Sequence, residues 1–250
     1  MRILLGSALF LSLAVGGTAA AQSTSLTRSE VTAIRAKLVA VQQAMGADPA
    51  GYVKESEDFS LPTDFNPAEN GKFWPITSSI RLRYTDKVST EGRAAAEKAT
   101  QDFQTKYAAA AAAGNVEALQ KMVEDVQKLQ AAAMTPPVKQ QPMDVYVQLN
   151  QNPTVGIDPA NVVLERAGVI ALRDKEVSAD KGTVTVYVDP VALANSSDLA
   201  KIELQTAQDG VNSKIGVYHV VISLNGAVSD LEAWAKSFNY GAILGAIDSQ

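Results

Sequence analysis

The chain has 250 residues, a formal net charge of −5 at pH 7, and 46% hydrophobic and 20% charged residues, an ordinary composition for a globular protein. The acidic balance and the lack of lysine and arginine clusters argue against nucleic acid as a partner, because nucleic acid is bound by clustered basic side chains. The chain contains no cysteine. This excludes disulfides, thiolate metal sites, cysteine nucleophiles and lipid attachment through an N-terminal cysteine.

Residues 1–21 have the order of a cleavable secretory signal peptide. Arg2 supplies the positive charge, residues 3–15 form an apolar run, and residues 16–21 are small and end in alanines. The apolar run is shorter than the roughly 20 residues of a membrane-spanning helix, so we expect cleavage near Ala21 rather than anchoring. No later segment is long and apolar enough to be a transmembrane helix. The pattern therefore predicts a soluble, periplasmic or secreted protein of a bacterial envelope.

A helix is predicted to begin shortly after the cleavage site. Thr27 and Glu30 have the spacing of a capping box, in which each residue satisfies a backbone N–H near the other. Apolar residues then recur every three or four positions up to Gly46, a residue type that commonly follows a helix end. The predicted buried stripe consists of Val31, Ile34, Leu38, Val41 and Met45.

Residues 47–78 follow neither a helical nor a strand period and contain four prolines. A segment of this length without secondary structure is uncommon inside a compact domain and is often functional. Three interpretations are open: a loop that wraps the body and is held by its rings, a lid or binding loop whose rings contact a ligand, or a disordered segment, against which the aromatic residues argue. The rings in question are Tyr52, Phe59, Phe65, Phe73 and Trp74.

Residues 80–84 alternate apolar and basic side chains, which predicts a half-buried strand. Arg81 and Arg83 share its outer face. They form either a solvated face that protects a sheet edge or a pair that binds an anionic ligand.

Residues 89–133 are predicted to form a helical hairpin that turns at Gly114 and Asn115. The first helix ends in an alanine run, and alanine is the best helix former. The second helix carries an apolar stripe and is ended by Pro136 and Pro137. The hairpin is either a structural unit or a coiled-coil-like arm that docks a partner.

The rest of the chain alternates in the manner of strands and ends in a helix that Ser229 and Asp230 are expected to cap. Residues 191–208 are compatible with either a short helix or a strand. Together these elements predict a single α+β domain over residues 22–250. Its mixed or mainly antiparallel sheet of about five to six strands would be covered on one face by the N-terminal helix, the hairpin and the C-terminal helix. The strand segments are 143–149, 162–164, 169–172, 182–189 and 215–224.

Few residues point to chemistry. His219 is the single histidine, so a site with several histidine ligands is impossible, and a Ser-His-Asp triad would need this residue as its base. The chain has no Gly-x-Ser-x-Gly elbow, no phosphate-binding loop and no dinucleotide glycine motif. We therefore assign no catalytic residue, metal or cofactor from the sequence.

Three functions remain compatible with these patterns. The first is a non-enzymatic exported protein that binds an apolar small ligand or an envelope protein. The second is a periplasmic hydrolase that uses carboxylates or a serine, and the third is a structural or interaction protein acting through the hairpin of residues 89–133. The candidate ligand-binding residues of the first hypothesis are Tyr52, Phe59, Phe65, Phe73, Trp74, Arg81 and Arg83.

Overall fold

The structure is a computed structural model that describes residues 24–114, 141–151, 153–174, 181–204 and 210–248, with isolated positions between 117 and 127. The predicted signal peptide lies outside the described residues. Most of the second helix of the predicted hairpin also lies outside them.

Within these ranges the chain forms four α-helices and eleven strands, so the α+β class is confirmed. The helices are α1 (Arg28–Ala44), α2 (Lys87–Ala112), α3 (Val228–Ser237) and α4 (Tyr240–Leu244). The strands are β1 (Tyr52–Ser60), β2 (Asn66–Pro67), β3 (Phe73–Trp74), β4 (Ser78–Asp86), β5 (Met143–Leu149), β6 (Thr154–Gly156), β7 (Val162–Arg166), β8 (Val169–Arg173), β9 (Gly182–Val188), β10 (Lys201–Glu203) and β11 (Val220–Gly226).

Seven strands form one sheet in the order β1-β4-β5-β11-β9-β8-β7. Every neighbouring pair is antiparallel. The predicted count of five to six strands is wrong because the aperiodic loop predicted at residues 47–78 contains the edge strand β1. Residues 54–58 are exposed on both faces of this strand, and a bulge between Lys54 and Ser56 shifts its alternation. An edge strand of this kind leaves no period-2 signal.

Helices α1, α3 and α4 cover one face of the sheet. The capping box of α1 is confirmed: the Glu30 N–H donates to Thr27 Oγ1 at 3.3 Å, and the Thr27 N–H donates to Glu30 Oε2 at 2.8 Å. Leu38 and Val41 are completely buried against the sheet. The sheet contributes side chains with no solvent exposure to the same core, including Ile80, Leu82, Val145, Val147, Val186 and Ile222.

The opposite face is covered over only part of the sheet. Ile170, Tyr187 and Val221 on the β8, β9 and β11 strands pack against Leu193 and Ile202 from the segment of residues 191–204. That segment contains a 3₁₀ turn and strand β10, which pairs with β6. The prediction of one covered face is therefore wrong for β8 and β9, in which nearly every residue is buried.

The starts of the last strand and of the helix after it differ from those predicted from the sequence. Strand β11 begins at Val220 rather than residue 215. Helix α3 begins at Val228 after Ala227, whose side chain makes no capping hydrogen bond. Asp230 therefore lies within the first turn of α3, where it accepts a hydrogen bond from the Tyr52 hydroxyl at 3.2 Å.

Asn150, directly after β5, ties three segments together. It has a positive φ of 56° and is only 4% exposed. Its Nδ2 donates to the carbonyls of Ile76, at 3.0 Å, and Gly216, at 2.8 Å, and its Oδ1 accepts from the Tyr218 N–H at 2.8 Å. The Asn150 amide therefore satisfies three backbone groups from segments distant in the sequence.

Asn150→Ala should be strongly destabilising. Each buried polar group left without a partner costs on the order of 1–3 kcal/mol, so we expect a loss of at least about 3 kcal/mol in the free energy of unfolding, measured by urea denaturation. Asn70→Ala is the matched control, because Asn70 has a similar φ of 58° but is exposed. Equal losses in the two variants would show that backbone conformation, rather than the hydrogen bonds, accounts for the effect.

Candidate functional site

The seven predicted ligand-binding residues lie in different environments. Tyr52 is 4% exposed and belongs to the helix-facing core. Phe59 is half-buried against the same core, and the Arg35 guanidinium carbon lies 4.3 Å from its ring centroid. Both rings serve packing in this structure, and neither lines the cavity that is described below.

Arg81 and Arg83 lie on the polar part of the sheet face opposite the helices. Arg81 Nη2 is 3.1 Å from Asp144 Oδ1, and its guanidinium lies 5.2 Å from the Tyr146 ring centroid. Arg83 Nε is 3.4 Å from Glu55 Oε2. Because each arginine already has a carboxylate partner, the arrangement favours a charge-balanced surface over a site for an anion.

Phe65 and Phe73 do come together, at the wall of a cavity of about 520 Å³. Their ring centroids are 5.4 Å apart and their planes are inclined at 79°, an edge-to-face arrangement that aromatic pairs prefer. Trp74 is adjacent in sequence and 44% exposed, but it is not part of the lining. The lining includes Thr24, Phe65, Ala68, Lys72, Phe73 and Lys214.

Three distant segments build this cavity. Strands β2 and β3 form a small antiparallel ladder around a 3₁₀ turn. The Phe65 N–H donates to the Thr24 carbonyl at 2.8 Å, which brings the start of the described chain to the ladder. Phe73 and Val211 exchange two backbone hydrogen bonds of 2.9 and 2.8 Å, which bring the segment containing Lys214 to the other side.

Lys214 lines the cavity, and its positive charge is paired with the carboxylate of Glu30. Its Nζ lies 2.7 Å from Glu30 Oε1 and 4.3 Å from the Phe65 ring centroid. The hydrogen bond from Lys214 and then that from the Thr27 backbone lower the pKa of Glu30 to about 2. Glu30 therefore stays ionised near neutral pH and serves both the cap of α1 and this lysine.

Lys72 is the other basic residue that lines the cavity. Its side chain is half-buried and lines the cavity beside the two rings. Among the side chains that the structure describes, which do not include those of Glu69 and of residues 205–209, no carboxylate forms an ion pair with Lys72. Neither lysine is predicted from the sequence, because nothing in the local pattern at positions 72 and 214 shows that both line one cavity.

His219 is not placed for catalysis. It is completely buried, its Nε2 lies 2.7 Å from the Gln151 carbonyl oxygen, and its Nδ1 has no hydrogen-bond partner in the described part of the chain. Burial lowers the pKa of His219, although the Gln151 carbonyl and Asp189 act in the opposite direction. The described residues also contain no group of three histidine, aspartate or glutamate side chains arranged to hold a metal ion.

The fold and the cavity together define an α+β protein with a small aromatic and basic cavity beside the N-terminal end of α1. No protein-family model, curated protein or solved structure matches this chain. In the part of the chain that the structure describes, no helix has both the length and the apolar character needed to cross a membrane.

The buried His219 should make stability dependent on pH. Because its pKa is lower in the folded state, the unfolded chain binds more protons as the pH falls below about 6.5, and the folded state loses stability there. We expect the free energy of unfolding to decrease from pH 6.5 towards pH 5 in the wild type and to change less in His219→Gln. An NMR titration of the single histidine provides a second measurement, and a midpoint at or above 6.5 in the folded protein would contradict the prediction.

Proposed function

We propose that the protein is an exported, non-catalytic binding protein whose cavity at Phe65 and Phe73 takes a small ligand with an apolar body and an anionic group. The observation that carries the proposal is the half-buried side chain of Lys72, which lines the cavity beside two aromatic rings and has no ion-pair partner among the described side chains. A ligand anion at this position would supply a countercharge to Lys72.

The dimensions and the lining of the cavity support a small ligand. Its volume of about 520 Å³ lies in the range of roughly 300–1,000 Å³ that is usual for small-molecule sites. Such sites combine apolar and aromatic walls with a few polar groups that orient the ligand. Phe65, Phe73 and Ala68 supply the apolar wall, and Lys72 supplies the orienting charge. The proposed ligand therefore combines the apolar body expected from the sequence with an anionic group that faces Lys72 rather than Arg81 and Arg83.

The alternatives receive less support. A serine hydrolase would need His219 within reach of a serine, whereas this histidine is buried and bonded to a backbone carbonyl. The acidic residues of β1 lie on an exposed edge strand, and Glu57 is engaged by Gln42 and Lys54. An interaction role for the hairpin of residues 89–133 stays a prediction, because most of its second helix lies outside the described residues.

Naphthalene-2-carboxylate is a suitable probe, because it joins a flat apolar body to one anionic group. We expect saturable binding to the wild type in isothermal titration calorimetry. Lys72→Gln should weaken binding about two- to fivefold, which is the effect of removing one partly exposed charge pair. Naphthalene-2-methanol, the neutral counterpart, should bind the wild type and Lys72→Gln equally weakly.

Lys87→Gln is the matched control for that experiment. Lys87 is an exposed lysine at the start of α2, with Glu91 Oε1 at 3.9 Å, and its replacement should leave the affinity for naphthalene-2-carboxylate unchanged. Equal binding of the carboxylate and the alcohol by the wild type would contradict the assignment of an anionic ligand. The absence of saturable binding by either probe would contradict the proposed site.

Export is testable at the predicted cleavage site. When the full chain is expressed in a Gram-negative bacterium, the intact mass of the periplasmic protein should correspond to a chain that begins at Gln22. Signal peptidase requires small residues in an A-x-A pattern, so Ala21→Gln should abolish cleavage between residues 21 and 22. Ala20→Gln, at the tolerant middle position, should be processed normally. A full-length protein in the cytoplasmic fraction would contradict export.

A further inference from the structure

A second cavity lies at the opposite end of α1. It is a groove of about 380 Å³ between the loop that follows α1 and one side of α3. The Trp234 Nε1–H donates to the Ala47 carbonyl at 3.0 Å, which holds the loop against the helix. The side chains that matter for its chemistry are Ala47, Asp48, Pro49, Asp230, Ala233 and Trp234.

The charge of this groove is opposite to that of the first cavity. Its lining contains the carboxylates of Asp48 and Asp230 and neither lysine nor arginine. The C-terminal end of α1 adjoins it, and the last turn of that helix contains no basic residue. Because the carbonyl end of a helix carries a partial negative charge, the helix end and the two carboxylates all favour a positively charged occupant.

Tyrosine hydroxyls from the buried core lie behind both carboxylates. The Tyr52 hydroxyl donates to Asp230 Oδ2 at 3.2 Å. Burial, and then the Asp230 carboxylate, raise the pKa of Tyr52 to about 12, so this hydroxyl remains a donor near neutral pH. Burial also raises the pKa of Tyr84, and the nearby Asp48 carboxylate adds to the rise. Tyr52 and Tyr84 lie on neighbouring paired strands, which sets the two carboxylates on a rigid support.

We propose that this groove binds a small organic ammonium ion with an apolar body. A metal ion fits less well, since calcium requires six to eight oxygen ligands, whereas the rest of the lining consists largely of Ala47, Pro49, Ala233 and Trp234. An organic ammonium ion needs only the carboxylates for its charge, and its hydrocarbon part gains from contact with the apolar walls. The inference is independent of the anionic ligand proposed for the first cavity.

The two tryptophans of the chain make the groove directly observable. In Trp74→Phe, Trp234 is the only tryptophan, and its emission reports on the groove. We expect benzylammonium to cause a saturable change in this emission, and benzyl alcohol to cause none at the same concentrations. Asp48→Asn and Asp230→Asn, each made in the Trp74→Phe background, should weaken benzylammonium binding at least fivefold. Asp102→Asn, an exposed position on α2, should leave it unchanged.

Several results would overturn the proposal. They are a lack of saturable response to benzylammonium, equal responses to benzylammonium and benzyl alcohol, and undiminished binding by both aspartate variants. Displacement of benzylammonium by calcium at equal or lower concentration would instead assign the groove to a metal ion. If Asp230→Asn fails to fold, as judged by thermal unfolding, Asp48→Asn carries the test alone, because Asp48 lies in an exposed loop.

Discussion

Side chains of β4, β5, β9 and β11 that point towards the helices are almost completely removed from water. Burial of apolar surface is the main favourable contribution to folding, and this surface must be covered along the whole width of the sheet. Helix α1 covers β4 and β5, and α3 covers β9 and β11. The positions of these two helices, and thus of the loops at their ends, follow from that requirement.

Both candidate sites depend on α1. Its 17 residues correspond to a length of roughly 25 Å. At its N-terminal end Glu30 holds Lys214 at the basic cavity, and its C-terminal end adjoins the acidic groove. The partial charges at the two ends of the helix have the same signs as the charged residues of the neighbouring sites: the positive N-terminal end lies at the basic cavity, and the negative C-terminal end lies at the acidic groove. One packed helix therefore separates two cavities of opposite charge and keeps them at a constant distance.

The elements that could be predicted from the sequence are those whose own residues show a capping pattern or a hydrophobic period. The α1 cap and stripe, and the strand at Arg81 and Arg83, were found because periodicity is local. The edge strand β1 was missed because its exposed residues and its bulge remove the alternation. Of the seven predicted site residues only Phe65 and Phe73 line the basic cavity. Lys72 was not predicted, because its environment is created by backbone pairing between segments more than a hundred residues apart.

The place of β11 in the sheet has a consequence for how the chain folds. β11 pairs with β5 on one side and with β9 on the other, although it is the last strand in the sequence. Before residues 220–226 are available, the β1-β4-β5 and β7-β8-β9 units have no common neighbour and each leaves an inner strand edge unpaired. Contacts between residues far apart in sequence form slowly, and unpaired strand edges promote aggregation. The sheet is therefore completed only when nearly the whole chain has been synthesised. A chain truncated before β11 would leave β5 and β9 each with an unpaired, aggregation-prone edge.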